Sequence, residues 1–350
     1  MSIDWRLPEN RREAFQRFYS FHLKYRSHPG MVYSFLPAIA EAYDLDGDGR
    51  AWLAWLNGNT QNPAMSLLLL EAAPRPRDWQ KAVDFWNEHF KLMDFDTDRR
   101  HQKGKFGEAT EKWAATFGSD PAADWAVAGL GGWQETWKYA NSQPYMGRLS
   151  AWSMMEYARI LLGNDFVPDM GSWLLTDKSG SRSHRNGIAV VKGYDATYWE
   201  ADTPDMLGIV EELEGFAEDL LTEAMDRNPG HPDVGRLTME SALCTYKSWH
   251  KPGRRYPNVY ADMAYLRLKK AEARFGKRFD VLWDARRRDL PWHLRLEDVP
   301  YDPGLTAVKQ NHYLETGEVP VMYHDYPDMK SGFDINVEDG HFDRRKDPKW

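Results

Sequence analysis

Cysteine is almost absent, since Cys244 is the only one in 350 residues. That excludes a disulfide framework and suits a reducing compartment. Long apolar runs are also missing: the longest, Met65 to Ala73, falls far short of the roughly 20 residues that a bilayer span requires. The opening MSIDWRLPENRREAF is charged with no apolar stretch behind it, so neither a signal peptide nor a membrane contact is expected and the chain reads as soluble and cytoplasmic. There is no basic excess. A net charge of −8 argues against an avid nonspecific binder of polyanions. The period-two alternation of strands is scarce, with only Ile188 to Tyr198 able to form a small β-hairpin. No metal-ligand pattern is complete: Asp44, Asp46, Asp48 and Gly49 begin like a calcium loop, but its twelfth position is Trp55, where such a loop needs a bidentate glutamate. A helix-capping turn explains that string better. No cofactor motif and no internal repeat is evident.

What is present is an apolar content of 42%, enough for a sizeable core, with helical periodicity through most of the chain. The fold class is therefore mainly α, with a helical catalytic domain over residues 1–290, two lobes dividing near 120–140 as an option, and an irregular extension over 291–350 rich in Pro, Asp and Gly. Sixteen tryptophans imply either an aromatic core or stacking surfaces. The basic residues cluster at Arg99, Arg100, Lys103 and Lys105, at Arg254 and Arg255, from Arg267 to Arg278, and from Arg286 to Arg288. Such clusters are either phosphate-binding stripes or solvated helix faces.

Four segments carry chemistry. In NGNTQNPA, the carboxamides Asn57, Asn59, Gln61 and Asn62 offer donors and acceptors side by side for a base edge, though Asn-rich turns also cap helices. In QPYMGRLSAWSMMEYARILLGNDFVPDMGSW, a tight turn from Gln143 to Met146 precedes a helix from Gly147 to about Leu162, and a second turn delivers Asp169 after Pro168. In SGSRSHRNG, Arg182, His184, Arg185 and Asn186 read as a polar loop whose cations suit phosphate or pyrophosphate oxygens. In ESALCTYK, Glu240, Cys244 and Lys247 fall at i, i+4 and i+7 and share one helix face. A cysteine beside a lysine can be an activated nucleophile, and a lone cysteine can equally be a small packing residue.

The second segment resembles the helix-hairpin-helix and following aspartate loop of base-excision DNA glycosylases. The likeness rests on Gly147, Arg148, Ser150 and Ala151, then Pro168, Asp169, Met170 and Gly171. It implies a hairpin that holds the DNA backbone through Gly147 and Arg148, while Asp169 faces a flipped nucleotide. Tyr145 stands where the hairpin glycine is usual, and Leu149 where lyase-type enzymes place a Schiff-base lysine; the second difference argues against lyase chemistry. Taken together and in order, GNTQNPA, GRLSAW with PDMG, SRSHRNG and ESALCTYK look like the phage amino acid:DNA transferases and the related thymine pyrophosphorylases, over roughly Gly58 to Met263.

That resemblance implies an enzyme of thymidine hypermodification, working in the host cytoplasm on double-stranded DNA. It would replace pyrophosphate on pyrophosphorylated 5-hydroxymethyluracil with an amine such as glycine. Arg182, His184 and Arg185 would hold the leaving pyrophosphate, Asp169 or Glu240 would take the amine proton, and the 57–62 amides would hold the base. Cys244, with Lys247 one turn away, would be available to add to the ring. A monofunctional DNA glycosylase using Asp169, and a noncatalytic DNA-binding or structural phage protein, are the alternatives.

Overall fold

The computed structural model describes residues 7–169, 183–194, 204–249 and 260–290. These are mainly α-helical and contain no strand. In chain order the helices are α1 (Arg11–Tyr25), α2 (Val32–Ala42), α3 (Gly47–Thr60), α4 (Pro63–Ala72), α5 (Trp79–Glu88), α6 (Phe106–Phe117), α7 (Pro121–Leu130), α8 (Gly132–Ser142), α9 (Arg148–Leu162), α10 (Ser183–Val191), α11 (Pro204–Arg227), α12 (Arg236–Trp249), α13 (Tyr260–Phe275) and α14 (Asp280–Asp289). The hairpin expected from Ile188 is not formed. Ile188 to Val191 complete α10 and are buried, because their continuous apolar run suits a fully buried helix as well as a strand.

Local sequence sets the helix ends. The Asp46 carboxylate accepts from the Gly49 N–H at 2.8 Å and caps α3, so the DxDxDG string does act as a helix start. Asn62 caps α4 ahead of Pro63, and Asp120 caps α7 ahead of Pro121; proline at the first helical position lacks only a donor that would have no helical partner. Gly163 ends α9 with φ of 71°, a left-handed conformation in which a β-carbon is strained.

Helices α3 and α9 cross at the centre, with α2, α4, α7 and α8 against them. A second group pairs α10 with α12 and lays α1 across α10, α11 and α12, while α13 and α14 return onto α4 and α2. One hydrophobic cluster runs through both groups, from Ala14 to Leu290. Eight tryptophans, at 52, 55, 86, 113, 125, 133, 152 and 283, are buried in it, so much of the tryptophan content is core. Trp55 stacks on Trp113 at 5.2 Å, and Trp133 meets Trp152 edge-on at 5.2 Å.

The basic run on α13 is largely neutralised. Arg267 pairs with Asp96 at 3.0 Å, Lys270 and Arg274 meet Asp94, and Lys277 meets Glu71. These ion pairs dock α13 onto the 94–96 segment and the end of α4, which removes it as a free phosphate stripe. Arg254 and Arg255 lie outside the described residues.

Glycine permits the α10–α12 contact. A β-carbon on Gly187 would lie 2.6 Å from the Leu243 carbonyl oxygen and 2.8 Å from its Cβ, and backbone cannot yield as a side-chain tip can. Gly187→Ala should therefore cost about 1–3 kcal/mol through overpacking, read as a lower urea midpoint with an unchanged m-value.

Candidate functional site on helix α9

Helix α9 is buried around most of its circumference from Ser150 to Ala158, while Leu149 and Ile160, expected in its buried stripe, are only half-buried. Its N-terminal end follows a turn closed by the Met146 N–H donating to the Gln143 carbonyl at 3.1 Å. Pro144 is second in this turn and Tyr145, third, takes φ of 58°, the pattern of a type II turn. Tyr145 thus adopts the conformation for which glycine is usual in a hairpin. Its ring lies under Lys112 Nζ at 5.1 Å and Lys105 Nζ at 6.0 Å, and its hydroxyl meets Glu108. Gly147, the N-cap, is exposed, and Arg148 lies over the Trp137 ring at 5.4 Å.

A buried arginine fixes this turn. Arg99 is 2% exposed. Its guanidinium donates to the Asn59 side-chain oxygen at 2.8 Å, to the Tyr145 carbonyl at 2.8 Å and to Ser150 Oγ at 3.3 Å. It therefore ties the amide segment, the turn and the start of α9 together, a role that sequence reading missed when it grouped Arg99 with solvent-facing cations.

The four amides are all buried at the α3–α4 junction. Asn57 accepts from Ser66 Oγ at 2.9 Å, and Asn59 donates to the Trp55 carbonyl at 3.0 Å. Gln61 donates to Ser153 Oγ at 3.4 Å, and Asn62 caps α4 while donating to the Asp94 carbonyl at 3.1 Å. Asn57 Nδ2 and Gln61 Oε1 have no hydrogen-bond partner.

The C-terminal half of α9 holds a constellation of charge that sequence reading did not single out. Glu156 is 4% exposed and accepts from the Tyr33 hydroxyl at 2.9 Å. Burial pushes its carboxyl up to about 8, aided by the negative charges of Glu240 and Asp233 and opposed by the Tyr33 hydrogen bond and Arg159. Arg159, one turn on, pairs with Asp233 at 3.0 Å and donates to the Pro232 carbonyl at 2.6 Å. His28 packs its ring 4.7 Å from that of Tyr33, with no hydrogen-bond partner at either nitrogen, and burial holds it neutral. An open cleft of about 370 Å³ lies beside this group, lined by Arg26, Tyr33, Arg159, Ile160, Asp165 and Asp233 among others. The available signal was a glutamate on the apolar face of an amphipathic helix.

The other expected residues fall on neighbouring elements. Asp169 accepts from the Gln134 side chain, and the carbonyl before it accepts from Arg236 Nη1 at 2.8 Å. Glu240 is buried on α12, with Cys244 and Lys247 half-buried on the same helix. The polar loop expected around Arg185 and Asn186 is instead the first turns of α10. Arg185 is only 1% exposed and Asn186 is buried, because α10 packs onto α12 with both residues on its inner side. Arg182, the side chain of His184, and Met170 with Gly171 lie outside the described residues.

Comparison with known proteins gives two matches. The profile of the amino acid:DNA transferase family matches residues 48–256. A serinyltransferase of Salmonella phage ViI is 27% identical over 209 residues, 56% of this chain and 51% of that protein, so the chain spans about half the length of this curated relative. No solved structure matches. No helix among the described residues is long and apolar enough to cross a membrane.

Glu156 makes stability depend on pH. Its folded pKa of about 8 exceeds the ordinary 4.5, so between those values the folded state holds a proton that the unfolded state has lost. Each unit of rising pH in that window removes up to ~1.4 kcal/mol. Urea unfolding should show that loss in the wild type and not in Glu156→Gln, and parallel curves for the two would contradict the raised pKa.

Proposed function

Because the chain belongs to the amino acid:DNA transferase family, we propose that it transfers a small amino acid through its amino group onto a modified thymine in DNA. The observation that carries this is the extent of the match: residues 48–256 take in α3 through α12, and so the amide junction, the 143–148 turn, α9 and the Glu240–Lys247 face. A relative named for serinyl transfer supports an amino acid as co-substrate.

The acceptor in this reading is pyrophosphorylated 5-hydroxymethyluracil in double-stranded DNA. The amine nitrogen attacks the exocyclic CH2 of an extruded base; the N–C bond forms, the C–O bond breaks, and pyrophosphate leaves with the electron pair. A helix-hairpin-helix, glycosylase-like arrangement is supported by the α8–turn–α9 geometry. Gly147 and the first N–H groups of α9 would face a phosphate, with Arg148 supplying positive charge nearby and Lys105 and Lys112, which share Glu108 as their ion-pair partner, adding a net charge of about one. Asp169 would sit near the flipped nucleotide. Arg182, His184 and Arg185 would take the pyrophosphate, where loss of one such contact costs on the order of a hundredfold in rate.

Two routes remain distinct in their demands. Direct displacement needs only a base for the amine, whereas ring-assisted expulsion needs Cys244, held ionised by Lys247, to add to C6. Direct displacement asks nothing of Cys244, which is half-buried on α12.

Incubation of labelled glycine or serine with duplex carrying the pyrophosphorylated base should place label in DNA and release pyrophosphate. Abasic sites without label would instead indicate a glycosylase. Cys244→Ser should keep turnover near the wild-type rate, and its loss with DNA binding intact would assign the thiolate. Arg148→Ala should weaken duplex binding evenly across sequences and reduce the salt dependence by about one phosphate contact; an unchanged salt slope would remove this turn from the DNA interface.

A further inference from the structure

The cleft at the C-terminal end of α9 is dipolar. Arg26 and Arg159 line it beside Asp165 and Asp233, with the Tyr33 side chain in its wall. Two of these charges are committed to each other, since Arg159 and Asp233 are paired at 3.0 Å. Among the described residues neither Arg26 nor Asp165 has an ion-pair partner, and Arg26 is held at φ of 47°, a backbone conformation that is uncommon for a residue with a side chain. One uncommitted cation and one uncommitted anion in the same cleft match a ligand that carries both charges. The volume of about 370 Å³ lies within the range of small-molecule sites, ~300–1,000 Å³, and exceeds what a small amino acid fills alone.

Behind the cleft wall is a hydrogen-bonded pair. Tyr33 lines the cleft and donates to Glu156 at 2.9 Å, while Glu156 is closed off from solvent. Facing this pair are Arg159 on the same helix, Asp233 before α12, Glu240 on α12, and His28 ahead of α2, whose ring packs on Tyr33.

We propose that this cleft is the binding site of the free amino acid, with its α-carboxylate on Arg26, its α-ammonium toward Asp165, and its amine proton leaving through the Tyr33 hydroxyl to Glu156. This rests on the transferase reading for the fate of the amine and extends it by a place and a path. The ammonium first loses one proton to solvent at the open cleft, which leaves a neutral amine with a lone pair. As the N–C bond forms, the nitrogen becomes positive. Its second proton passes to Tyr33 Oη while the Tyr33 proton passes to Glu156 in its carboxylate form, so Tyr33 ends neutral and Glu156 protonated, and the step gains as pH rises toward 8. The part of the cleft left unfilled is where the CH2 group of the extruded base enters.

The test needs no DNA for its first part. The full-length protein, labelled at isoleucine methyl groups, is titrated with each proteinogenic amino acid, and then with glycinamide and N-acetylglycine, which lack one of the two charges. At least one small amino acid should shift the Ile160 methyl signal, and the two single-charge analogues should not. Arg26→Ala should weaken that binding about tenfold or more and raise the amino-acid KM of label transfer equally, with kcat little changed. Tyr33→Phe should lower kcat while KM stays the same.

The assignment is overturned if no amino acid moves the Ile160 signal. It is equally overturned if Arg26→Ala, shown folded by its spectrum, transfers label with an unchanged KM, in which case transferase activity stands without this site. If amino acids bind in an Arg26-dependent way and no label enters any modified DNA, the cleft stands and the transferase reading fails.

Discussion

The close crossing of α3 and α9 is the constraint on which the rest depends. At Gly58 a β-carbon would lie 2.7 Å from Met154 Sδ and 3.3 Å from Met146 Cε, so the absence of a side chain there lets the amide segment sit directly on α9. That proximity brings the Asn59 oxygen within 2.8 Å of Arg99, whose other donors reach the Tyr145 carbonyl and Ser150. A buried guanidinium must satisfy its donors or lose several kcal/mol, and here the partners that satisfy it are the turn and the first residues of α9. The exposed turn is thereby anchored from below by a buried network, the condition under which a loop can present backbone N–H groups in a fixed direction.

The same helix carries a different electrostatic state at its other end. Around Glu156, burial favours neutral forms: its carboxyl is pushed up to about 8, while His28 is kept unprotonated. Lining the cleft, Arg159 and Asp233 pair with each other at 3.0 Å. A carboxyl held this high exchanges its proton close to physiological pH instead of remaining ionised throughout, which is the tuning that general acid–base groups require. Helix α9 thus joins an anchored turn at one end to a cleft lined by both signs of charge at the other through a single buried element.

Much of this was legible in the sequence and some was not. The boundaries of α9 followed from Gly147 and Gly163 flanking a helical period, and the DxDxDG string gave a cap because its twelfth position could not ligate calcium. The order of motifs carried the family. The polar SRSHRNG string misled, because composition was read without its context: the apolar IAVV that follows needs a buried helix, and the helix draws Arg185 and Asn186 in with it. Arg99 was placed among surface cations because a charge run gives no sign of which member turns inward. Glu156 escaped because one carboxylate in an apolar stripe becomes informative only when Tyr33 and Asp233, distant in sequence, arrive beside it.

Hydrogen exchange along α9 tests this division most directly. Duplex DNA bearing the pyrophosphorylated base should slow exchange at the amides of residues 147–150, and a free amino acid should slow it at residues 163–165. A free amino acid that slows exchange at the turn and not at residues 163–165, or DNA that leaves residues 147–150 unprotected, would contradict the assignment of backbone holding and amino-acid binding to opposite ends of one helix.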